Sequence, residues 1–222
     1  MNIETPMNKT GKCILVAAGD LNISDIPVGE EDCVIAVDGG LEYCQIFQIT
    51  PNIIIGDYDS LSEEKKETLQ FIEKTGNTEV IFLPVEKNDT DTLAALRIGL
   101  ERGFTEFRIY GGMGGRLEHT LANIQSLLFL KHQNAKGYLL DGDCMIGVAK
   151  DERVEFQKSL EGYVSLFSLG ESAQVSIQNM KYPLQHERIT NDFPIGISNE
   201  FIGEKATITV EEGSIVWILN WA

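Results

Sequence analysis

The sequence predicts an α/β fold: an N-terminal, mostly parallel sheet flanked by helices, followed by a small antiparallel β-sandwich-like domain. Three observations carry this expectation. Short apolar, β-branched runs recur through the first two thirds of the chain and end in Gly and Asp. Helix-spaced apolar residues lie between some of these runs. After Lys150 the texture changes to short, often alternating segments separated by turns. Short runs that are apolar throughout mark strands buried on both faces, as in a parallel sheet. Strands alternating with helices give an α/β layer arrangement.

In chain order, strand-like runs fall at 14–18, 34–37, 53–55, 80–83, 107–110 and 138–140. They precede Gly19-Asp20, Asp38-Gly39-Gly40, Gly56-Asp57-Tyr58-Asp59-Ser60, Pro84, Gly111-Gly112 and Asp141-Gly142-Asp143. Leu93, Leu96 and Leu100 share one face of a helix starting near Asp91, and Leu117, Leu121, Ile124 and Leu128 share a face of another reaching about Lys131. Beyond Lys150, segments at 154–156, 164–169, 173–177, 206–210 and 215–219 read as antiparallel strands. The expected division is therefore an α/β domain over 1–150 and a β-rich domain over 151–222. The Gly and Asp clusters all sit at the carboxyl ends of the strands, where ligands collect in such folds.

Bulk properties narrow the function. The chain has 222 residues and a net charge of −16, from 34 acidic and 18 basic residues. A phosphodiester backbone would be repelled, so nucleic acid is not expected as a partner. Cys13, Cys33, Cys44 and Cys144 form no C-x-x-C pair, and with three histidines there is no zinc pattern. They read as reduced thiols of a cytoplasmic protein. No apolar stretch is long enough for a membrane span, and the first ten residues have no signal core.

Three constellations carry chemistry. In an extended segment Asp57 and Asp59 face the same way, and two close carboxylates call for a proton or a hard divalent cation between them. A turn stabilised by Asp side chains is the competing reading. Asn88-Asp89-Thr90-Asp91-Thr92 opens a helix, and capping needs one of these residues, leaving a carboxylate for a metal, with Lys87 placed to meet a phosphate. Gly111-Gly112-Met113-Gly114-Gly115-Arg116 lies between a strand and a helix. Bare backbone N–H groups there, with a forked cation, form an anion cradle. His119 and Asn123 share a helix face beside it. The segment fits neither the dinucleotide fingerprint nor a Walker A loop. His132 and His186 read as surface or structural residues, and the run 63–67 as a solvated helix face.

Taken together, Asp38-Gly39-Gly40, Gly56-Asp57-Tyr58-Asp59-Ser60, Asn88-Asp89-Thr90-Asp91 and Gly112-Met113-Gly114-Gly115-Arg116-Leu117-Glu118-His119 resemble the thiamine pyrophosphokinase (thiamine diphosphokinase) family, particularly its bacterial members. Lys181-Tyr182-Pro183-Leu184 and Gly196-Ile197-Ser198-Asn199-Glu200 extend the resemblance over nearly the whole chain. The resemblance implies transfer of the pyrophosphoryl group of ATP to thiamine, a homodimer with active sites between subunits, and Mg2+ as cofactor. It implies Asp57, Asp59 and Asp91 as metal-binding acids, catalytic together with Arg116. Asp38, Gly112, Arg116 and His119 fall on the nucleotide side, with Gly39, Gly40, Ser60, Lys87, Asp89, Thr92 and Gly114 in or beside the same motifs. Ser198, Asn199 and Phe201 fall on the thiamine side. One departure stands out: Glu118 occupies a position where the family pattern has Asp. A metal-dependent phosphohydrolase or glycosyltransferase, and a non-catalytic nucleotide- or thiamine-binding regulator, remain as alternatives at this stage.

Overall fold

The computed structural model describes residues 9–57, 67, 69, 72–74, 76, 78–84 and 88–221. Asp59, Ser60 and Lys87 lie outside the described residues, as does most of the acidic run at 63–67.

The first strands form because their sequences leave no polar face. β1 (Cys13–Val16), β2 (Cys33–Val37) and β3 (Ile53–Gly56) are buried at every position. β4 (Glu79–Phe82) exposes its two ends, as suits an edge strand. β5 (Glu106–Tyr110) and β6 (Lys136–Asp141) complete a parallel run in the spatial order β6-β5-β1-β2-β3-β4. Alternation along the strands divides their side chains between two covered faces. Leu15, Ile35 and Ile55 pack with Ala95 and Leu96 of α2 (Asp91–Glu101) and Leu127 and Leu130 of α3 (Leu117–His132). Val16, Ala36 and Ile54 pack on the other face with Cys44 of α1 (Gly40–Ile46) and Leu69. The predicted start of α2 at Asp91 matches, and the predicted end of α3 near Lys131 falls one residue short of His132.

The sheet does not stop at β6. Gly142, at φ 49°, turns the chain into β7 (Cys144–Lys150), antiparallel to β6. The sequence reading placed no strand at 144–150; the apolar run Met145–Ala149 lacks both the alternation and the Gly-Asp ending used to find the others. β14 (Ser214–Asn220), β9 (Tyr163–Ser168) and the short β12 (Asn199–Glu200) add on beyond β7, giving ten strands in one sheet among the described residues. The second sheet has four antiparallel strands in the order β11-β10-β13-β8, from β8 (Arg153–Phe156), β10 (Ser172–Gln178), β11 (Leu184–Thr190) and β13 (Ala206–Glu212). The β-rich part is thus a sandwich in which one layer is the antiparallel end of the long sheet. Its core holds Phe156, Leu166, Val175, Ile208, Ile215 and Trp217.

Trp217 joins the two layers. Its indole lies edge-on to Phe156 at 5.7 Å and tilted to Tyr138 at 5.9 Å between ring centroids. The space it fills is left by Gly147, where a Cβ would fall 2.2 Å from Trp217 Cζ2. Gly147→Ala is therefore expected to destabilise the fold by about 1–3 kcal/mol through overpacking, read as a lower urea midpoint at unchanged slope.

Candidate active site

The sheet order reverses beside β1. The chain leaves β1 through β2, β3 and β4, then returns to β5 on the other flank of β1. Beyond the carboxyl ends of β1 and β5 lies a cavity of about 320 Å³, and Asp38, Thr92, Gly112, Gly114, Arg116 and His119 from the predicted set all line it. Ala18, Gly19, Asp20, Gly111, Gly115 and Asn123 line it too.

The floor is built from close backbone contact. The Ala17 N–H donates to the Tyr110 carbonyl and the Gly19 N–H to the Gly111 carbonyl, each at 2.8 Å, so β1 and β5 stay paired past their ends. Gly111 has φ 64°, and a Cβ there would sit 2.3 Å from the Ala17 carbonyl oxygen. Gly114 and Gly115, at φ 76° and 60°, turn the next residues back over Asp20, whose Oδ2 accepts from the Gly115 N–H at 2.9 Å. Asp20 also bridges Met113 in antiparallel fashion.

Asp38 leaves β2 with φ 50°, a left-handed backbone at a non-glycine residue, and its N–H donates to the Ile55 carbonyl at 2.8 Å. Such conformations cluster at ligand sites. Gly39 and Gly40 follow Asp38, at the start of α1. A Cβ on Gly40 would lie 1.8 Å from the Val16 carbonyl oxygen, so its bareness lets α1 pack on β1, and neither residue lines the cavity.

The acids sit at the neighbouring strand ends. Thr90 caps α2, its Oγ1 accepting from the Leu93 N–H at 3.2 Å. Neither aspartate of the motif is spent on capping. Asp89 Oδ2 accepts from Arg97 Nε at 2.7 Å, and Arg97 in turn covers the Phe129 ring. Asp91 is the first residue of α2, with Oδ1 shielded from solvent. Asp57 is half-buried directly after β3, beside the pairing of Leu83 N–H with the Gly56 carbonyl. Oxygen donors alone, with no imidazole or thiolate among them, suit a hard cation such as Mg2+. Among the described residues no group of three acidic, His or Cys side chains could hold a metal, and the third expected donor, Asp59, lies outside them.

Arg116 precedes α3, and its Nε and Nη2 both lie 2.7 Å from Glu118 Oε1, with the pair largely exposed. The Glu118 carboxyl is held below its usual range by its own backbone N–H and then by Arg116. The longer acid thus folds back two residues onto the guanidinium. His119 is exposed on the first turn of α3. Asn123, one turn on, is buried, and its Nδ2 donates to the Gly112 carbonyl at 2.8 Å.

The residues expected on the thiamine side lie elsewhere. Ser198 is exposed at φ 55°, its N–H donating to Ser165 Oγ at 3.0 Å. Asn199 is buried and uses both ends of its amide on Tyr182, giving Nδ2 to its carbonyl at 2.8 Å and taking its N–H at 3.0 Å. The Phe201 ring packs edge-on to Phe156 at 5.5 Å. A second cavity of about 250 Å³, lined by Phe167, Phe193, Pro194 and Gly196 among others, adjoins this segment. Among the described residues none lines both cavities.

Ala18, Gly19, Asp20 and Asn123 were not among the predicted site residues. Gly19-Asp20 carried the same strand-end signal as the other clusters, and Asn123 had been placed on the His119 face by its spacing.

Residues 28–139 match the family described as the thiamin pyrophosphokinase catalytic domain, and residues 151–215 the thiamin pyrophosphokinase vitamin B1 binding domain. The thiamine pyrophosphokinase of Bacillus subtilis (strain 168) is 30% identical over 209 residues, covering 92% of this chain and 96% of that protein. Among solved structures, a Bacillus subtilis thiamine pyrophosphokinase aligns with TM-score 0.82 at 28% identity, covering 95% of this chain and 99% of the other. A thiamin pyrophosphokinase family protein of Enterococcus faecalis aligns with TM-score 0.77 at 29% identity, covering 94% and 98%.

Replacing Asn123 by Ala strips a buried carbonyl of its donor. The expected cost is about 1–3 kcal/mol of stability, measured by denaturant titration.

Proposed function

The chain belongs to the thiamine pyrophosphokinase family, making thiamine diphosphate from thiamine and ATP, and we propose that it does so by in-line attack of the thiamine hydroxyl on the β-phosphorus of ATP. The bond from that phosphorus to the bridging oxygen of the α-phosphate breaks, AMP leaves with the electron pair, and an aspartate of the strand-end cluster takes the hydroxyl proton. The observation that carries this reading is the cavity at the β1/β5 reversal, with glycine-loop backbone and Arg116 on one side and Asp38 and Thr92 on the other. Such a transfer depends on positioning and charge neutralisation rather than covalent catalysis. Arg116 and the loop amides orient the triphosphate, and His119 and Asp38 bound the nucleotide. Asp57, Asp59 and Asp91 would hold Mg2+, which supplies charge neutralisation at the phosphate oxygens. The cationic thiazolium of thiamine suits so acidic a protein.

We assign the catalytic role to 1–150 and the thiamine side to 151–222, and the working form to a homodimer in which Ser198 of one copy reaches the other's nucleotide site. Two features support this. The two cavities share no lining residue among those described. Phe193, Ile195 and Ile197, next to Ser198, are each more than half exposed, an apolar patch of the kind that docks on a partner. Asn199 and Phe201 then act indirectly, by fixing the Tyr182 turn and the β8 edge. A cytoplasmic location is supported by the free thiols of Cys13 and Cys33, in register on β1 and β2. No helix among the described residues is long and apolar enough to cross a membrane.

Incubation with ATP, Mg2+ and thiamine should release AMP only when thiamine is present. Thiamine-independent phosphate release would instead indicate a hydrolase, and binding without turnover a sensor. Asp57→Asn and Asp91→Asn should each lower kcat by about a hundredfold or more while circular dichroism stays that of the parent. For the shared site, Asp57→Asn and Ser198→Arg are each expected to be inactive alone. After subunit exchange their mixture should regain about one quarter of parental activity, the share of intact sites in a random C2 mixture. No recovery despite proven exchange would place each site within one chain.

A further inference from the structure

We propose that Asp20 is an anion latch on the glycine-rich loop, occupying with its carboxylate a backbone donor that a phosphate would otherwise take, and so favouring nucleotide whose charge is already neutralised by a metal. The inference rests on the reading of this cavity as the ATP phosphate site.

The loop is folded around this side chain. Asp20 Oδ2 accepts from the Gly115 N–H at 2.9 Å. A Cβ on Gly114 would lie 2.6 Å from both Asp20 Cβ and Oδ2, so only glycine leaves room for the carboxylate. The backbone of Asp20 is itself fixed, through its bridge to Met113 and the Gly19 N–H on the Gly111 carbonyl. Asp20 is exposed and lines the cavity, so the charge faces the space a ligand would enter. Arg116, the loop's cation, is held in the same manner by Glu118. Two donors suited to phosphate are therefore engaged by the chain's own carboxylates.

A carboxylate oxygen and a phosphate oxygen make the same demand on an N–H group, and both are anionic. A bare triphosphate must displace Asp20 and remain beside it, against like-charge repulsion. A metal complex carries less charge into the same space. A purely structural staple would not need the charge, because the amide oxygen of Asn accepts the same hydrogen bond. That difference separates the two roles.

The test measures ATP binding by calorimetry, in EDTA and again with Mg2+, for the parent, Asp20→Asn and Asp20→Ser. Removing the charge should tighten metal-free ATP by about tenfold and Mg-ATP by clearly less, with the gain shrinking at high salt. Asp20→Ser provides the same reading should the Asn variant fold poorly, and thermal melts confirm the fold of each. The latch is overturned if metal-free ATP binds the variants no more tightly than the parent, or if both forms of ATP gain equally. The parent's binding of Mg-ATP is the control: its absence overturns the nucleotide reading itself, and the latch with it.

Discussion

The site depends on how closely β1 and β5 approach beyond their last residues. β1 lies inside the parallel run, flanked by β2, the next strand in the chain, and by β5, to which the chain returns after β4. Its continuation pairs backbone to backbone with the segment after β5, through Ala17 to Tyr110 and Gly19 to Gly111. A side chain at Gly111 would collide with the Ala17 carbonyl, and one at Gly40 with the Val16 carbonyl. Both collisions involve backbone rather than the flexible end of a side chain, so neither can be relieved by a rotamer change. Glycine at 111 is therefore required by the floor of the cavity, and glycine at 40 by the packing of α1 on β1, before any ligand is considered. The cradle above that floor inherits its geometry, because Gly114, Gly115 and Asp20 are ordered by the same pairing.

Electrostatics act on top of this frame. A chain with 34 acids and 18 bases has a poor starting point for binding a polyanion. Around the site, several acids are tied to specific partners: Asp89 to Arg97, Glu118 to Arg116, and Asp20 to the Gly115 N–H. These contacts spread the local charge over donors. Asp57 directly follows β3, and Asp91 opens α2. Part of the acidity around the cavity is thus taken up by specific hydrogen bonds and ion pairs.

Much of the fold was legible locally. Wholly apolar runs announce strands covered on both faces, and 3.6-residue spacing locates α2 and α3, because both signals depend only on neighbouring residues. Strand-end Gly and Asp clusters located the cavity for the same reason. What escaped depends on partners distant in sequence. β7 is a strand because β6 and β14 flank it, and β9, β12 and β14 join the long sheet through pairings that no local pattern encodes. Within the site, the motif at 88–92 showed that a cap was needed, but the choice of Thr90 became visible only in the backbone geometry. Asn199 is placed on the thiamine side only by the family resemblance, and no local pattern shows that both ends of its amide meet Tyr182, seventeen residues away.

That same dependence on distant partners bears on thiamine. A β-rich unit sharing a continuous sheet with the catalytic part is not free to swing over the nucleotide cavity, because β7 and β14 pair along seven residues each from Ser214↔Lys150 to Asn220↔Cys144. Bringing Ser198 of the same chain to that cavity would require breaking this ladder or remodelling the segment between β11 and β12. Hydrogen bonds of Asn199 to Tyr182 and of the Ser198 N–H to Ser165 Oγ hold that segment where it is. A rigid chain can still meet the requirement if the reacting groups are contributed by two copies related by a twofold axis, since the same patch on each copy then faces the other's site.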